Sequence, residues 1–217
     1  MTDAVVLSLP FTGRWLVQNS PDRRVPSHGV DVLGQRYAID FVAVDERGQS
    51  SRTRDWRTYL ATEPPERYVG FGAPILAPCT GTVVAVHDGE PDHAGRRSQL
   101  ALLPYMLGQA SRLRSGVGSV AGNHVVIRLG GGHCVALVHL RAASIRPKIG
   151  DTVDVGEPIA ECGNSGNSTE PHLHLQVMDS ADLTVARGVP LAFRDYREGS
   201  LEVPVGIPAE GALIEPL

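Results

Sequence analysis

Along the chain, short runs rich in apolar and β-branched residues are punctuated by Gly, Pro and Asn. This rhythm predicts strands. VVLSL, RWLVQ, YAIDFVAVD, GAPILAPC, GTVVAVHDG, NHVVIRL, HCVALVHL, EPIAECG and HLHLQVMD all read this way. Several alternate with a period of two, as strands with one buried face do. Two stretches break the rhythm. Residues 46–70 are charged and polar, with a short helix predicted around Trp56 to Ala61. Residues 88–120 carry apolar positions at Leu100, Leu103, Met106, Leu107, Ala110 and Leu113, near helical spacing but interrupted by Pro104. Both read as insertions between strands, either covering a site or packing on the surface. The pattern predicts one all-β domain over residues 1–217, with its core at about 25–180 and a C-terminal extension at 181–217.

Composition narrows the function classes. The 217 residues suffice for a full hydrophobic core. A formal net charge of −4 argues against nucleic acid, which calls for a basic patch or stripe. With 24 Gly, 16 Pro and only 5% aromatic residues, the chain is supplied for many turns between short elements, as an all-β fold requires. No run of about eighteen apolar residues is present, so no membrane-spanning helix is expected. The start, MTDAVVLSLPFTGRWLV, lacks a basic segment followed by a long apolar one and does not read as a secretory signal. The expectation is a cytoplasmic protein, or an exported one whose leader has been removed. Cys79, Cys134 and Cys162 form no CxxC pair, which speaks against a cysteine-based zinc site and for small reduced thiols.

The candidate chemistry lies in histidines and one aspartate. In Glu170-Pro171-His172-Leu173-His174-Leu175, strand geometry sends His172 and His174 to one face and Leu173 and Leu175 to the other. Two adjacent neutral imidazoles suit a metal ion, although an isolated HxH is a weak motif. His139 is a lone imidazole in the apolar run Ala136-Leu137-Val138-His139-Leu140, either a working residue or a satisfied core histidine. Asp40 sits inside Tyr37-Ala38-Ile39-Asp40-Phe41-Val42, and a buried carboxylate needs a cation or strong donors beside it. That partner is a metal ion or an arginine. Zinc held by His and Asp with an open position is a catalytic arrangement.

From Gly122 to Val177, the segments GNHVVIRLGGGHCVALVHL and IGDTVDVGEPIAECGNSGNSTEPHLHLQV resemble, in order and spacing, the signature of the lysostaphin-like (LytM-type) zinc endopeptidases of bacterial cell walls. Upstream, GAPILAP followed by GTVVAV is similar to that family's approach strand and turn, and the resemblance covers about residues 25–180. It implies antiparallel sheets with an open groove across the active face. It also implies that Asp40 and His174 bind Zn2+, that His139 and His172 handle protons and steady the transition state, and that the substrate is a peptide of peptidoglycan stems or cross-bridges. One position departs from the pattern. The family's first zinc histidine stands four residues before the aspartate, where this chain has Arg36, and a guanidinium cannot be a ligand. His28, in Pro26-Ser27-His28-Gly29-Val30, is the substitute expected if its loop folds back; otherwise the site has lost a ligand. In the turn-rich GNSGNSTE segment, Asn164, Ser165 and Asn167 are candidates for substrate contact, as is His124 along the groove. His87, His93 and His133 lie near turns and read as surface or structural residues.

Three rival readings stand beside this one. Arg36 is consistent with a non-catalytic binding or regulatory module. IGDTVDVGEPI resembles half of a biotinyl or lipoyl carrier domain, but no lysine occupies the hairpin tip and Lys148 is at the wrong end. A peptidase acting on something other than cell wall is the third. Oligomeric state leaves no mark in the sequence.

Overall fold

The computed structural model describes residues 4–96 and 117–217. The helical spacing noted between Leu100 and Leu113 lies outside the described residues. Among those described, the strands are β1 (Val5–Ser8), β2 (Trp15–Gln18), β3 (Ile39–Ala43), β4 (Pro74–Leu76), β5 (Gly81–His87), β6 (Asn123–Arg128) and β7 (Cys134–Leu140). They continue with β8 (Thr152–Val153), β9 (Pro158–Glu161), β10 (Leu173–Met178), β11 (Gly188–Val189), β12 (Leu191–Glu198), β13 (Leu201–Gly206) and β14 (Leu213–Pro216). Two short α-helices, α1 (Trp56–Leu60) and α2 (Val117–Ala121), and two 3-10 turns at Gln35–Tyr37 and Pro65–Arg67 complete the set, and no helix among the described residues is long and apolar enough to cross a membrane. Asp55 caps α1 by accepting from the Arg57 N–H, and Thr58 reciprocates by accepting from the Asp55 N–H.

Twelve strands form one curled sheet in the order β1-β12-β14-β2-β3-β10-β7-β6-β5-β8, with β11 against β10 and β13 against β12; β4 and β9 pair separately. The fold is mostly β, a curled sheet left open as a half-barrel. Residues 181–217, expected as an extension, are built into this sheet: β12 pairs with β1, β13 and β14, and β14 passes the ladder on to β2. The segment LAFRDYREGSLEVPVG carries a hairpin signal, two extended runs around Glu-Gly-Ser, that reads as strand once its partners are known.

The period of two decides what each face does. Ile39, Phe41 and Ala43 of β3, Val135 and Leu137 of β7, and Leu173, Leu175 and Val177 of β10 enter the main core. Phe11 stacks on Trp15 (ring centroids 4.4 Å apart) and meets Phe41 edge-on, and Phe41 in turn meets Phe193. These rings fasten the terminal strands to the centre of the sheet. The opposite face carries a smaller apolar cluster of Ala121, Val126, Ala136, Val138, Met178 and Leu183. Asp40, His174 and Gln176 alternate with the core residues and therefore belong to this second face.

Candidate metal centre

Asp40 and His174 are direct partners across the β3–β10 ladder, and Gln18 of β2 pairs with Asp40 from the other side. Directly opposed residues place their side chains on the same face within 4.5–5.5 Å of each other at Cβ, so the register brings carboxylate and imidazole together. His174 Nδ1 lies 2.8 Å from Asp40 Oδ1, and His28 Nε2 lies 3.1 Å from Oδ2. One ligand-type atom from each of the three residues falls within 4.8 Å of the others. His28 comes from the irregular segment before β3. The loop folds back and brings its imidazole to Asp40.

The outer nitrogens are already engaged, and this fixes what the inner ones present. His28 Nδ1 is 3.0 Å from Ser27 Oγ, whose own hydroxyl is directed to the Gln35 carbonyl. His174 Nε2 is 3.0 Å from Gln176 Oε1, an acceptor. His28 Nδ1 and His174 Nε2 therefore donate outward, and His28 Nε2 and His174 Nδ1 are the nitrogens turned to the carboxylate, as donors when the rings are protonated and as lone pairs when a metal ion takes the place of those protons. Asn19 Nδ2, 2.7 Å from Oδ2, steadies that carboxylate. The buried carboxylate needs positive charge beside it, either protonated rings or a bound metal ion. Two neutral imidazoles and a carboxylate, each oriented by a further hydrogen bond, match the donor set of a catalytic zinc site.

His139 and His172 face each other beside this cluster, with ring centroids 4.8 Å apart. His172 Nδ1 is 2.8 Å from the Glu170 carbonyl and 3.0 Å from Ser168 Oγ, leaving Nε2 3.8 Å from Asp40 Oδ1. His139 Nδ1 donates to the Ser165 carbonyl at 2.9 Å, so its Nε2 is the proton-free nitrogen. His139 adopts φ +64°, a left-handed conformation that costs a non-glycine residue about 1–3 kcal/mol. The benefit is geometric. The break in alternation lets Val138 and His139, neighbours in sequence, line the same cavity.

Burial dominates the electrostatics. It pushes the Asp40 carboxyl up, but His28, His172 and His174 together outweigh it and hold the group well below the usual carboxylate range. His139 is driven well below the ordinary imidazole value, first by burial and then by His172 and His174, with Asp40 opposing only in part. It is neutral at neutral pH.

A cavity of about 260 Å³ opens onto the cluster, lined by His28, Asp40, His139, His172 and His174 together with Asn19, Gln35, Asn167, Thr169 and Gln176, and by small or aliphatic residues such as Val120, Ala121 and Leu183. Of the residues expected to touch substrate, Asn167 lines it. Asn164 and Ser165 are fully buried behind it. Asn164 Nδ2 donates to the His93 carbonyl at 2.7 Å, and Ser165 Oγ to the Leu140 carbonyl at 2.8 Å. His124 bonds the Gly122 carbonyl through Nδ1 and stacks on His87, and is not among the lining residues. Arg36 pairs with Asp31 and lines a separate cavity with Tyr37, His133 and Arg187.

Several residues were not singled out by the sequence. Gln176 carried a signal, since it stands two positions after His174 on the same strand face. Asn19, Ser27 and Ser168 carried none. The Asp88–Arg96 segment acts as a strap. Asp92 accepts from the Asn164 and Ala142 N–H groups, and His93 Nε2 donates to the Gly166 carbonyl at 2.9 Å. It thereby clamps the turn whose Ser165 carbonyl orients His139. At Gly166 (φ +70°) a side chain would strike Gly122 N at 2.4 Å, so the second glycine of GNSGN serves this close approach of backbones.

Residues 108–186 match the model of Peptidase family M23. That stretch holds His139, His172 and His174, whereas His28 and Asp40 lie upstream of it and stand on the geometry above. Over 108 residues the chain is 32% identical to an uncharacterized metalloprotease of Haemophilus influenzae; the match spans 50% of this chain and 16% of that protein. Among solved structures, the catalytic domain of lysostaphin from Staphylococcus simulans is 18% identical with a TM-score of 0.41, over 82% of this chain and 88% of that one. A zinc-containing peptidase from Vibrio cholerae is 21% identical with a TM-score of 0.36, over 70% and 48%. The strand order and the histidine signature agree with that family match, and residues 108–186 are the part of the chain that carries the resemblance to Peptidase family M23.

Proposed function

We propose that this protein is a zinc-dependent endopeptidase, with His28, Asp40 and His174 holding the metal and peptide segments of peptidoglycan stems or cross-bridges as substrate. The observation that carries the reading is the convergence of two imidazole nitrogens on the Asp40 carboxylate, 2.8 and 3.1 Å from its oxygens. Zinc bound by these three residues supplies a Lewis acid that polarises the scissile carbonyl and makes a water acidic enough to act near neutral pH. The remaining chemistry belongs to the chain. His139, neutral through burial and oriented by the Ser165 carbonyl, accepts the water proton at Nε2 and delivers it to the departing amine. His172, held through Nδ1 by the Glu170 carbonyl, turns Nε2 toward the same space and donates to the developing oxyanion when protonated. Asn167 and Thr169 on the cavity wall are placed to receive the peptide backbone.

The experiment is zinc analysis coupled to hydrolysis of purified peptidoglycan and its cross-bridge peptides, on the wild type beside His28→Ala, Asp40→Ala and His174→Ala. About one zinc per chain, lost from the three variants together with new amine ends released from peptidoglycan, supports the proposal. Zinc without hydrolysis of any peptide favours a binding module, the reading that Arg36 first suggested. No zinc in the wild type removes the metal reading altogether.

A further inference from the structure

We infer that Gln176 couples the two histidines of the centre: one carboxamide both sets the tautomer of His174 and latches the loop that delivers His28. The inference rests on the metal reading above and concerns how a displaced ligand is held in place.

His28 reaches Asp40 from a segment with little regular structure. Among the described residues, the hydrogen bonds that tie residues 24–34 to the chain beyond residues 24–38 are His28 to Asp40 and Gln176 to Leu33. The first is part of the site itself. The second is a 2.7 Å bond from Gln176 Nε2 to the Leu33 carbonyl, beside which the segment lies directly on β10. A side chain on Gly34 would meet Met178 at 2.8 Å and Gln176 at 3.1 Å. Leu33 itself has φ +56°, so the backbone is bent to present that carbonyl.

The carboxamide has only one consistent orientation. A carbonyl oxygen accepts and never donates, so the nitrogen end of Gln176 must face Leu33. Its Oε1 is then the atom 3.0 Å from His174 Nε2, which must carry a proton, so that Nδ1 is the nitrogen whose lone pair a metal ion beside Asp40 can take. Gln176 is 3% exposed, so water has little access to replace either bond. Glutamine is the residue type that does both tasks. A glutamate still accepts from His174 but sets a carboxylate against the Leu33 carbonyl, and an aliphatic residue does neither.

This predicts a pattern that simple destabilisation does not produce. Zinc affinity is measured at pH 8 by competition with a chromophoric chelator for the wild type, Gln176→Glu and Gln176→Leu, each with and without His28→Ala. Losing a residue that orients a ligand lowers metal affinity by about 10–100-fold. Gln176→Glu is expected to fall in that range with His28 present and to change affinity less than about threefold once His28 is gone, because its damage passes through the loop. Gln176→Leu is expected to lose affinity in both backgrounds, because His174 also loses its orienting acceptor. Hydrogen exchange on the metal-free proteins supplies a second readout, and amides of residues 24–36 should exchange faster in both Gln176 variants while β7 stays protected. Equal losses for Gln176→Glu in the two backgrounds, or no loss in either, overturn the coupling. If the wild type binds no zinc, the metal reading fails and hydrogen exchange alone decides the latch: faster exchange at 24–36 supports it and unchanged exchange overturns it.

Discussion

The replacement of His28 by alanine tests the least expected feature of the centre. The donor set is three residues, with His28 Nε2 3.1 Å from Asp40 Oδ2 and its ring 4.8 Å from that of His174. Structural zinc sites with four protein ligands bind with about 10–16 kcal/mol, or about 2.5–4 kcal/mol per ligand, so losing one should weaken binding by about 10²–10³-fold. At a zinc concentration that saturates the wild type, that loss removes about 2.7–4.1 kcal/mol of metal-derived stability. For a chain of this size each kcal/mol moves Tm by about 2–4 °C, so the zinc-induced rise in Tm should shrink by about 5–16 °C. The metal-free protein should change little. His28 is near the surface, with a side chain 17% exposed, and a partly exposed ion pair contributes about 1 kcal/mol or less. The assay is thermal unfolding with and without zinc, beside Arg36→Ala as a control on the other cavity. A zinc-induced shift in His28→Ala equal to that of the wild type would refute the assignment of His28.

Four further outcomes follow from the same structure. His139→Ala should keep its zinc and lose about 10²–10⁴-fold in peptide hydrolysis, the range for a positioned general base, with turnover and metal content measured on the same preparation. In the wild type, proton acceptance by His139 needs the neutral ring, and burial lowers its folded-state pKa; activity should therefore persist below pH 6.5 and be lost only as pH falls through that depressed value, read from a pH–rate profile. Cys79 is unpaired and burial pushes its thiol up to about 11, so alkylation of the native protein at pH 8 should be slow, accelerate toward pH 11, and become fast on unfolding, as mass spectrometry would show. Leu137→Ala, at a fully buried position of β7 beneath the site, should cost about 2–5 kcal/mol and lower Tm by about 4–20 °C in a thermal melt.

The sequence by itself determined the class of fold and brought His139, His172, His174 and Asp40 forward as candidates. Alternation with a period of two marked β3, β7 and β10, because a half-buried strand has to place apolar residues at every second position. The same alternation separated Leu173 and Leu175 from His174 and identified Asp40 as a carboxylate that required a partner. The short helix around Trp56 to Ala61 was legible as a break in the strand rhythm, whereas its Asp55 cap appeared only in the structure. Tertiary structure decided what local pattern cannot encode. The β3–β10 register sets Asp40 opposite His174 across 134 positions of sequence, and no local preference records such a pairing. The fold-back of residues 24–34 delivers His28, and its determinants, Ser27 and Gln176, lie in different parts of the chain. The orientation of the His139 ring depends on the Ser165 carbonyl, whose turn is clamped by Asp92 and His93 from the insertion that begins at Asp88. The terminal strands joined the sheet because β12 found β1 and β14 found β2, pairings between the two ends of the chain. Periodicity reports which face of an element is buried, whereas register, loop closure and hydrogen bonds between distant segments are fixed only when all the faces are packed together.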